Sequence, residues 1–234
     1  DDFYVYNFPV SALPITVFLE AGRAVVAPIN PMEIAALFRP HTEIEDGEIR
    51  QVRLPRNQFW YAPSAGLLLF SGEEPHIRWG SFAGAIFELA RRTGVERMIF
   101  TGSVASPVPH TRQPRVRASV TNPARRAQLQ ALGVEFTTYR GPASLITMMA
   151  HRAPTMGIEF LSLVVEVPHY PFLDMPTYPR SILRVASVLV ELLGLPLDLD
   201  ELRAADDAVQ SKLNAAMAEN REFRELVAKL EEAY

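Results

Sequence analysis

Residues 158–167 read IEFLSLVVEV, a run in which seven of ten residues are apolar and four of these are β-branched. Such a run is typical of a strand buried on both faces of a sheet. Helical patterns flank it: residues 145–156 are closed by Gly157, and Pro179–Leu193 is closed by Gly194. Glycine often ends a helix because it adopts the left-handed conformation without a steric penalty. The order helix, strand, helix predicts that this strand belongs to an α/β sheet.

The same alternation extends towards the amino terminus. The runs GLLLFSG (66–72) and ERMIFTG (96–102) predict strands, and residues 79–92 between them have a helical pattern that ends at Gly94. RVRASVT (115–121) predicts one more strand. Strands that alternate with helices favour a mostly parallel sheet covered by helices on both faces. The fold class that we expect is therefore α/β.

One segment of the α/β region departs from this alternation. HTEIEDGEIRQVRLPR (41–56) contains the dipeptide Asp46-Gly47, and apolar residues alternate with polar ones on both sides of it. Asp-Gly is among the strongest signals for a tight turn between two antiparallel strands. The segment therefore predicts a β-hairpin inserted into the α/β region.

The character of the chain changes after Gly194. Residues 198–234 hold ten acidic and five basic side chains, and their apolar residues recur at helical spacing. We interpret this segment as a helical hairpin that packs on the α/β region or on a partner. The expected division is an α/β domain over residues 1–195 and a helical extension over residues 196–234.

Composition excludes several function classes. The net charge of −4 offers no surplus of cations for binding nucleic acid, and no apolar run is long enough to cross a bilayer. The absence of cysteine excludes a thiolate nucleophile and disulfides. The only lysines are Lys212 and Lys229, so the α/β region has none to grip nucleotide phosphates or form a Schiff base. No signal-peptide pattern opens the sequence, and we expect a cytoplasmic protein without a nucleic-acid or membrane partner.

Four of the five histidines directly follow a proline: His41, His76, His110 and His169. The last three come after predicted strands, and ligands of open α/β sheets bind outside the carboxyl ends of the strands. His110 and His169, together with Glu74, are therefore candidates for acid–base catalysis. Arg78, Arg112 and His76 are candidates for binding an anionic ligand.

These motifs also have structural interpretations. Proline can simply end a strand while histidine binds a loop carbonyl, which would make the proline–histidine loops architectural. Gly141 is a further candidate for anion binding, since Gly141-Pro142 precedes a predicted helix, although Pro142 could simply start that helix. The histidines lie 34 and 59 residues apart without any compact ligand pair, so we expect neither a metal nor another cofactor.

A series of motifs occurs in the order of a known family: RPHTEIEDGEIRQVRLPRNQFWYA, GEEPHIRWGSF, TGSVASPVPHTRQPRV, YRGP, VPHYPFLDMPTYPRS and KLEEAY. Over roughly residues 25–234 the chain resembles the proteasome assembly chaperone 2 family. The matching positions are Glu74-Pro75, Arg78-Trp79, Pro109-His110-Thr111-Arg112, Gly141-Pro142 and Pro168-His169-Tyr170.

The resemblance implies a three-layer α/β/α sandwich akin to the phosphorylase/hydrolase fold, with a C-terminal helical extension. It also implies a homo-oligomer, for which a trimer is one candidate. The chain departs from the family at residues 7–14, NFPVSALP, where relatives carry a glycine-rich turn. Assembly chaperones of this kind can end in a hydrophobic–tyrosine–any tripeptide that inserts into a proteasome ring. The end Glu232-Ala233-Tyr234 would match it only with one further residue.

Two functions remain open at this stage. The first is a homo-oligomeric, assembly-chaperone-like protein that binds proteins and has no enzymatic activity, with proteasome subunits or another protein complex as partners. The alternative is a small-molecule hydrolase or transferase that uses His110 or His169 as acid or base and Arg78 and Arg112 to hold an anionic substrate. An ATP-dependent ligase is disfavoured, because the α/β region contains no lysine.

Overall fold

A computed structural model describes residues 14–21, 41–53, 57–62, 65–170 and 177–234, so most of NFPVSALP lies outside the described residues. The strands are β1 (Pro14–Ala21), β2 (His41–Glu45), β3 (Glu48–Arg53), β4 (Gln58–Ala62), β5 (Leu67–Glu73), β6 (Val95–Ser106), β7 (Val116–Val120), β8 (Val134–Phe136) and β9 (Glu159–Pro168). The helices are α1 (Trp79–Thr93), α2 (Arg125–Ala131), α3 (Leu145–Arg152), α4 (Pro179–Leu193), α5 (Asp200–Glu219) and α6 (Arg221–Ala233). The strand predicted at 158–167 and the helices predicted around it are confirmed, with α3 continuing as a 3₁₀ turn over Ala153–Met156.

Seven strands form one sheet in the order β4-β5-β1-β6-β9-β7-β8. The pairs β6–β9 and β7–β8 are parallel, and the other four pairs are antiparallel. The α/β class is confirmed, but the sheet is mixed rather than mostly parallel. The strand–helix–strand alternation does give co-directional strands, as in β5–α1–β6, yet β1 lies between β5 and β6 and runs against both. The short connection between β4 and β5 also permits only an antiparallel pair.

Helices cover both faces of this sheet. Successive residues of a strand point to opposite faces. Accordingly, Phe160 of β9 joins a core cluster with α1 and α3, whereas the next residue, Leu161, joins a second cluster with α2 and α4. Met98 and Ile99 of β6 divide in the same way. The expected three-layer α/β/α sandwich is therefore the architecture of the described chain.

The strands β2 and β3 form the predicted hairpin as a separate two-stranded sheet. Its turn contains Asp46 at φ 51° and Gly47 at φ 81°, backbone conformations that Asp-Gly sequences favour. Ile49 pairs with Ile44, and Val52 pairs with Thr42, two residues before Ile44. Because the pairing register shifts between Glu43 and Ile44, Ile44, Ile49 and Val52 lie on the same side of the hairpin. The three apolar side chains are between 54% and 66% exposed.

The C-terminal segment forms the helical hairpin that the sequence predicts. Asn220 joins α5 to α6, and its Oδ1 accepts the Phe223 N–H at 3.1 Å. The hairpin shares a third core cluster with the ends of β9 and α4: Val167, Tyr170, Tyr178, Leu213, Phe223 and Val227. A boundary between two domains at residues 195 and 196 stays a prediction. Within the described ranges, no helix has both the length and the hydropathy that a bilayer crossing requires.

Candidate functional site

The carboxyl ends of β5, β6 and β9 lie at one edge of the sheet, because these three strands run in the same direction. His76, His110 and His169 each follow one of them, as expected from the sequence. They differ sharply in exposure: the His110 side chain is fully buried, whereas His76 and His169 are exposed. In addition, β1 separates β5 from β6, so His76 stands two strands away from the strand that leads to His110. The edge is shared, but the histidines occupy different environments.

His110 is bound through its backbone and its ring. The loop from β6 to β7 passes over the end of β9, which brings His110 to Tyr170. The Tyr170 hydroxyl accepts the His110 backbone N–H at 2.8 Å and lies 2.8 Å from the ring Nδ1. The His110 carbonyl accepts hydrogen bonds from Tyr178 Oη at 3.3 Å and from Arg180 at 2.9 Å. These contacts join the ends of β6 and β9 to the start of α4.

Aromatic rings enclose the imidazole. Phe223 of α6 stacks on the His110 ring, with centroids 5.7 Å apart and an interplanar angle of 27°. Tyr170 meets both rings edge-on, at 5.7 Å from His110 and 4.9 Å from Phe223. Burial lowers the pKa of His110, and the nearby Arg180 charge lowers it further, against the opposing effects of Asn214 and Glu231. The neutral imidazole is therefore favoured in the folded protein.

A polar network ties α4 to α5 beside this cluster. Arg180 forms an ion pair with Asp206, with Nε 3.0 Å from Oδ2 and 3.2 Å from Oδ1. Gln210 donates to Asp206 Oδ1 and to the Tyr178 hydroxyl, each at 3.1 Å. Burial raises the pKa of both Tyr170 and Tyr178 to about 12, so both hydroxyls keep their protons as hydrogen-bond donors. Few of these groups could reach a solvent-borne substrate.

The end of α6 packs against the same loop after β6. The Arg115 guanidinium lies 3.8 Å from the centroid of the Tyr234 ring and donates to the Tyr234 carbonyl oxygen. The Tyr234 hydroxyl donates to the Gln113 carbonyl at 2.5 Å, and the Thr111 hydroxyl donates to Glu231. The loop that carries His110 is thus held by α6 on its outer side as well.

A carboxylate lies buried at the end of β9. Glu166, whose side chain is 5% exposed, pairs with Arg117 of β7 at 3.0 Å, and Arg117 also lies 3.5 Å from Glu135 of β8. Its backbone carbonyl accepts the Ser181 hydroxyl of α4 at 2.8 Å. This ion pair joins the antiparallel strands β7 and β9 near the edge of the sheet.

The remaining candidates are dispersed. Glu74 Oε1 accepts the Leu145 N–H at 3.2 Å, so this carboxylate interacts with the start of α3. Arg78 is exposed and has a backbone φ of 57° immediately before α1. Its carbonyl accepts hydrogen bonds from the backbone N–H groups of Ser81 and Phe82. Arg112 and Gly141 are exposed in loops. The helix after Gly141 begins at Leu145 with Ser144 as its N-cap, so Pro142 does not start it.

The structure thus gathers a cluster that the sequence indicated only through His110. Tyr170 stands beside His169 in the proline–histidine motif and was a visible signal, whereas Arg180, Asp206 and Phe223 carry no local mark of their role. Among the described residues, no group of histidine, aspartate and glutamate side chains is arranged to hold a metal ion. The geometry of this cluster can fasten a helical hairpin over the strand ends, and its burial leaves little room for chemistry.

A mixed sheet between two helix layers, closed at the carboxyl ends of its central strands by a helical hairpin, defines an α/β/α sandwich protein with a C-terminal helical cover. The chain belongs to the PAC2 family, whose model matches residues 23–217.

Solved structures with the same fold agree with this assignment. The chain is similar to the Mycobacterium tuberculosis protein of unknown function Rv2714 at 26% identity and a TM-score of 0.69, covering 84% of this chain and 66% of that one. A PAC2 family protein from Streptomyces avermitilis is 25% identical, with a TM-score of 0.61 and coverage of 76% and 75%. The Mycobacterium tuberculosis proteasome-assembly chaperone homologue Rv2125 is 22% identical, with a TM-score of 0.65 and coverage of 92% and 87%. No protein of curated function matches the chain.

Proposed function

We propose that this protein is a homo-oligomeric, non-enzymatic protein that binds other proteins in the manner of an assembly chaperone. Membership of the PAC2 family supports an assembly-chaperone-like role. The similarity to a proteasome-assembly chaperone homologue makes proteasome α-subunits the first partners to test. The cytoplasm, where such partners are assembled, is the compartment that we propose.

The observation that carries this proposal is the apolar face of the β2–β3 hairpin, formed by Ile44, Ile49 and Val52. An isolated two-stranded hairpin is marginally stable in water, and these side chains are at least 54% exposed. Adjacent exposed apolar side chains of this kind mark contact surfaces. We propose that a second copy of the chain covers this face, and that this contact builds the oligomer.

A second observation speaks against the enzymatic alternative. A hydrolase or transferase that used His110 would need to open it to substrate, yet the ring is stacked on Phe223 and has no exposed surface. His169 is exposed, but its backbone N–H is bonded to the Ser106 carbonyl at 3.2 Å, which is a strand-end contact. We therefore propose that the proline–histidine loops at His110 and His169 are architectural.

Light scattering coupled to size exclusion tests the oligomer. We expect the wild-type protein to elute as an oligomer and Ile49→Glu to elute as a smaller species, because a buried unpaired carboxylate opposes association. Gln51→Glu is the matched control: it introduces the same carboxylate on the opposite face of the same strand, and its mass should equal that of the wild type. A monomeric wild type would contradict the proposal, and so would an equal decrease in molecular mass in both variants.

Capture with purified proteasome α-subunits tests the partner. We expect the wild-type protein to retain α-subunits at micromolar concentrations. If the intact oligomer retains no α-subunits, the proteasome is ruled out as the partner. That result would not affect the proposal that the protein oligomerises through the hairpin.

A further inference from the structure

A cavity lies between α4, α5 and the loop after β6, next to the His110 cluster with which it shares Arg180 and Asp206. Its volume is about 450 Å³, within the range of pockets that hold small molecules. The lining residues are Gln113, Arg180, Leu183, Arg184, Ser187 and Asp206. Arg180, Arg184 and Ser187 follow one another at helical spacing along α4 and Leu183 lies between them, so this helix supplies four of the six lining residues.

The described lining of this cavity carries more positive than negative groups. Asp206 is the single carboxylate of the lining, and it is engaged by Arg180 Nε at 3.0 Å and by Gln210 at 3.1 Å. Arg184 has no carboxylate partner among the described residues at ion-pair distance. The lining thus holds two guanidinium groups and one carboxylate, and this carboxylate is already paired with Arg180.

Arg184 is held in place without being neutralised. It donates to the carbonyls of Leu132 and Gly133, at 2.7 Å and 3.1 Å, which are the acceptors at the end of α2. Burial lowers the pKa of Arg184, because the charged form is partly removed from water. The charge of Glu191 opposes this effect, but no described carboxylate forms an ion pair with Arg184. A guanidinium in a fixed position, partly desolvated and not engaged by a carboxylate at ion-pair distance, is a suitable group for binding an oxyanion.

Two uncharged polar side chains complete the lining. The Ser187 hydroxyl donates to the Leu183 carbonyl at 2.8 Å, which leaves its oxygen able to accept a hydrogen bond. The side chain of Gln113 carries both a donor and an acceptor. Leu183 contributes an apolar patch between them. The lining therefore suits a small organic molecule that carries an anionic group at one end.

We propose that this cavity is a binding site for a small organic anion, whose carboxylate or phosphate group pairs with Arg184 and whose body contacts Leu183, Ser187 and Gln113. This proposal is independent of the proposed protein-binding function, because the apolar hairpin face belongs to β2 and β3, which contribute no residue to the cavity lining. Ligand binding to the folded state alone would raise the free energy of unfolding by RT ln(1 + L/Kd), where L is the ligand concentration, a quantity that keeps rising with the logarithm of L above Kd.

Titration with malonate and with inorganic phosphate, at constant ionic strength, tests the site. The two measurements are the midpoint of thermal unfolding and the NMR resonances of the arginine Nε–Hε groups. We expect at least one anion to raise the thermal midpoint with the logarithm of its concentration and to shift one buried arginine resonance along a saturable curve. The anion that binds more tightly assigns the ligand group. Arg184→Gln should weaken the apparent Kd at least about tenfold, since it removes the ionic partner.

Arg224→Gln is the matched control, because Arg224 also binds carbonyls at a helix end, those of Met217 and Ala218, but lies outside the cavity lining. It should bind the anions as the wild type does. Ser187→Val provides a second variant that keeps both guanidinium groups, and it should weaken binding severalfold by narrowing the cavity. The proposal fails if the wild type shows no saturable effect with either anion, or if the Arg184 and Arg224 variants lose binding equally.

Discussion

Truncation of Phe223 should detach the helical hairpin from the sheet edge. Phe223 is 1% exposed, stacks on His110 and meets Tyr170 edge-on, so its ring is the main apolar contact between α6 and the strand-end loops. His110 and Tyr170 are bound to one another at 2.8 Å, and this bond keeps them from closing over a vacated space. We expect Phe223→Ala to lower the free energy of unfolding by about 3–5 kcal/mol.

Equilibrium unfolding in urea followed by circular dichroism measures that loss, and hydrogen exchange locates it. Protection of the amides in α5 and α6 should fall in Phe223→Ala, while protection of β6 and β9 should fall far less. Phe223→Leu restores most of the volume and should lower the free energy by roughly 1.5 kcal/mol or less. Lys229→Ala, on the exposed side of α6, should lie within about 0.5 kcal/mol of the wild type.

A loss below about 1 kcal/mol in Phe223→Ala would refute the reasoning, because it would place the ring outside any tightly packed contact. An equal loss of amide protection in β6, β9 and the two helices would refute the expected local detachment of α5 and α6, since the helical hairpin would then unfold only together with the sheet.

Two further predictions concern the same cluster. Because burial lowers the pKa of His110, the unfolded chain binds a proton at this residue at a higher pH than the folded chain does. The contribution of His110 to the free energy of unfolding is therefore complete above about pH 6.5 and is lost as the pH falls below it. The slope of this loss is up to about 1.4 kcal/mol per pH unit. Urea midpoints between pH 7.5 and 5 should show this slope in the wild type and in His76→Gln and His169→Gln but lose it in His110→Gln, and an unchanged slope in His110→Gln would contradict it. Asp206→Ala should cost about 3 kcal/mol because it leaves Arg180 partly buried without its counterion, and a urea midpoint equal to that of the wild type would show that solvent already screens this charge.

The secondary structure was largely predictable where the signals are local. The prediction of Pro179–Leu193 as a helix coincides with α4, because proline stands at its first turn and Gly194 ends it in the left-handed conformation. The Asp46-Gly47 turn was equally visible. Strand direction was not, since it depends on which strand enters between two others: nothing in the sequence of β1 indicates that it lies between β5 and β6.

The candidate site was predictable only in part, for the same reason. Proline before His110 places this residue just after a strand, and the shared edge follows from the co-directional strands. The burial of His110, however, depends on Tyr170, 60 residues away along the chain, and on Phe223 of α6. A pattern within one loop cannot tell whether a distant helix will cover it. For the helix after Gly141, the start predicted at Leu145 is confirmed, whereas the alternative that Pro142 starts it is wrong because Ser144 is the N-cap.

The cover over the sheet edge also determines the order in which the protein can be completed on the ribosome. The contacts that close the edge join residues 60 positions apart in His110–Tyr170 and as many as 121 apart in Gln113–Tyr234. The strands that lead to His110 and Tyr170 emerge well before α6, which begins at Arg221. The nascent chain therefore presents the rings of His110 and Tyr170 uncovered until α6 has emerged, and in that interval this fold is most open to association with other chains.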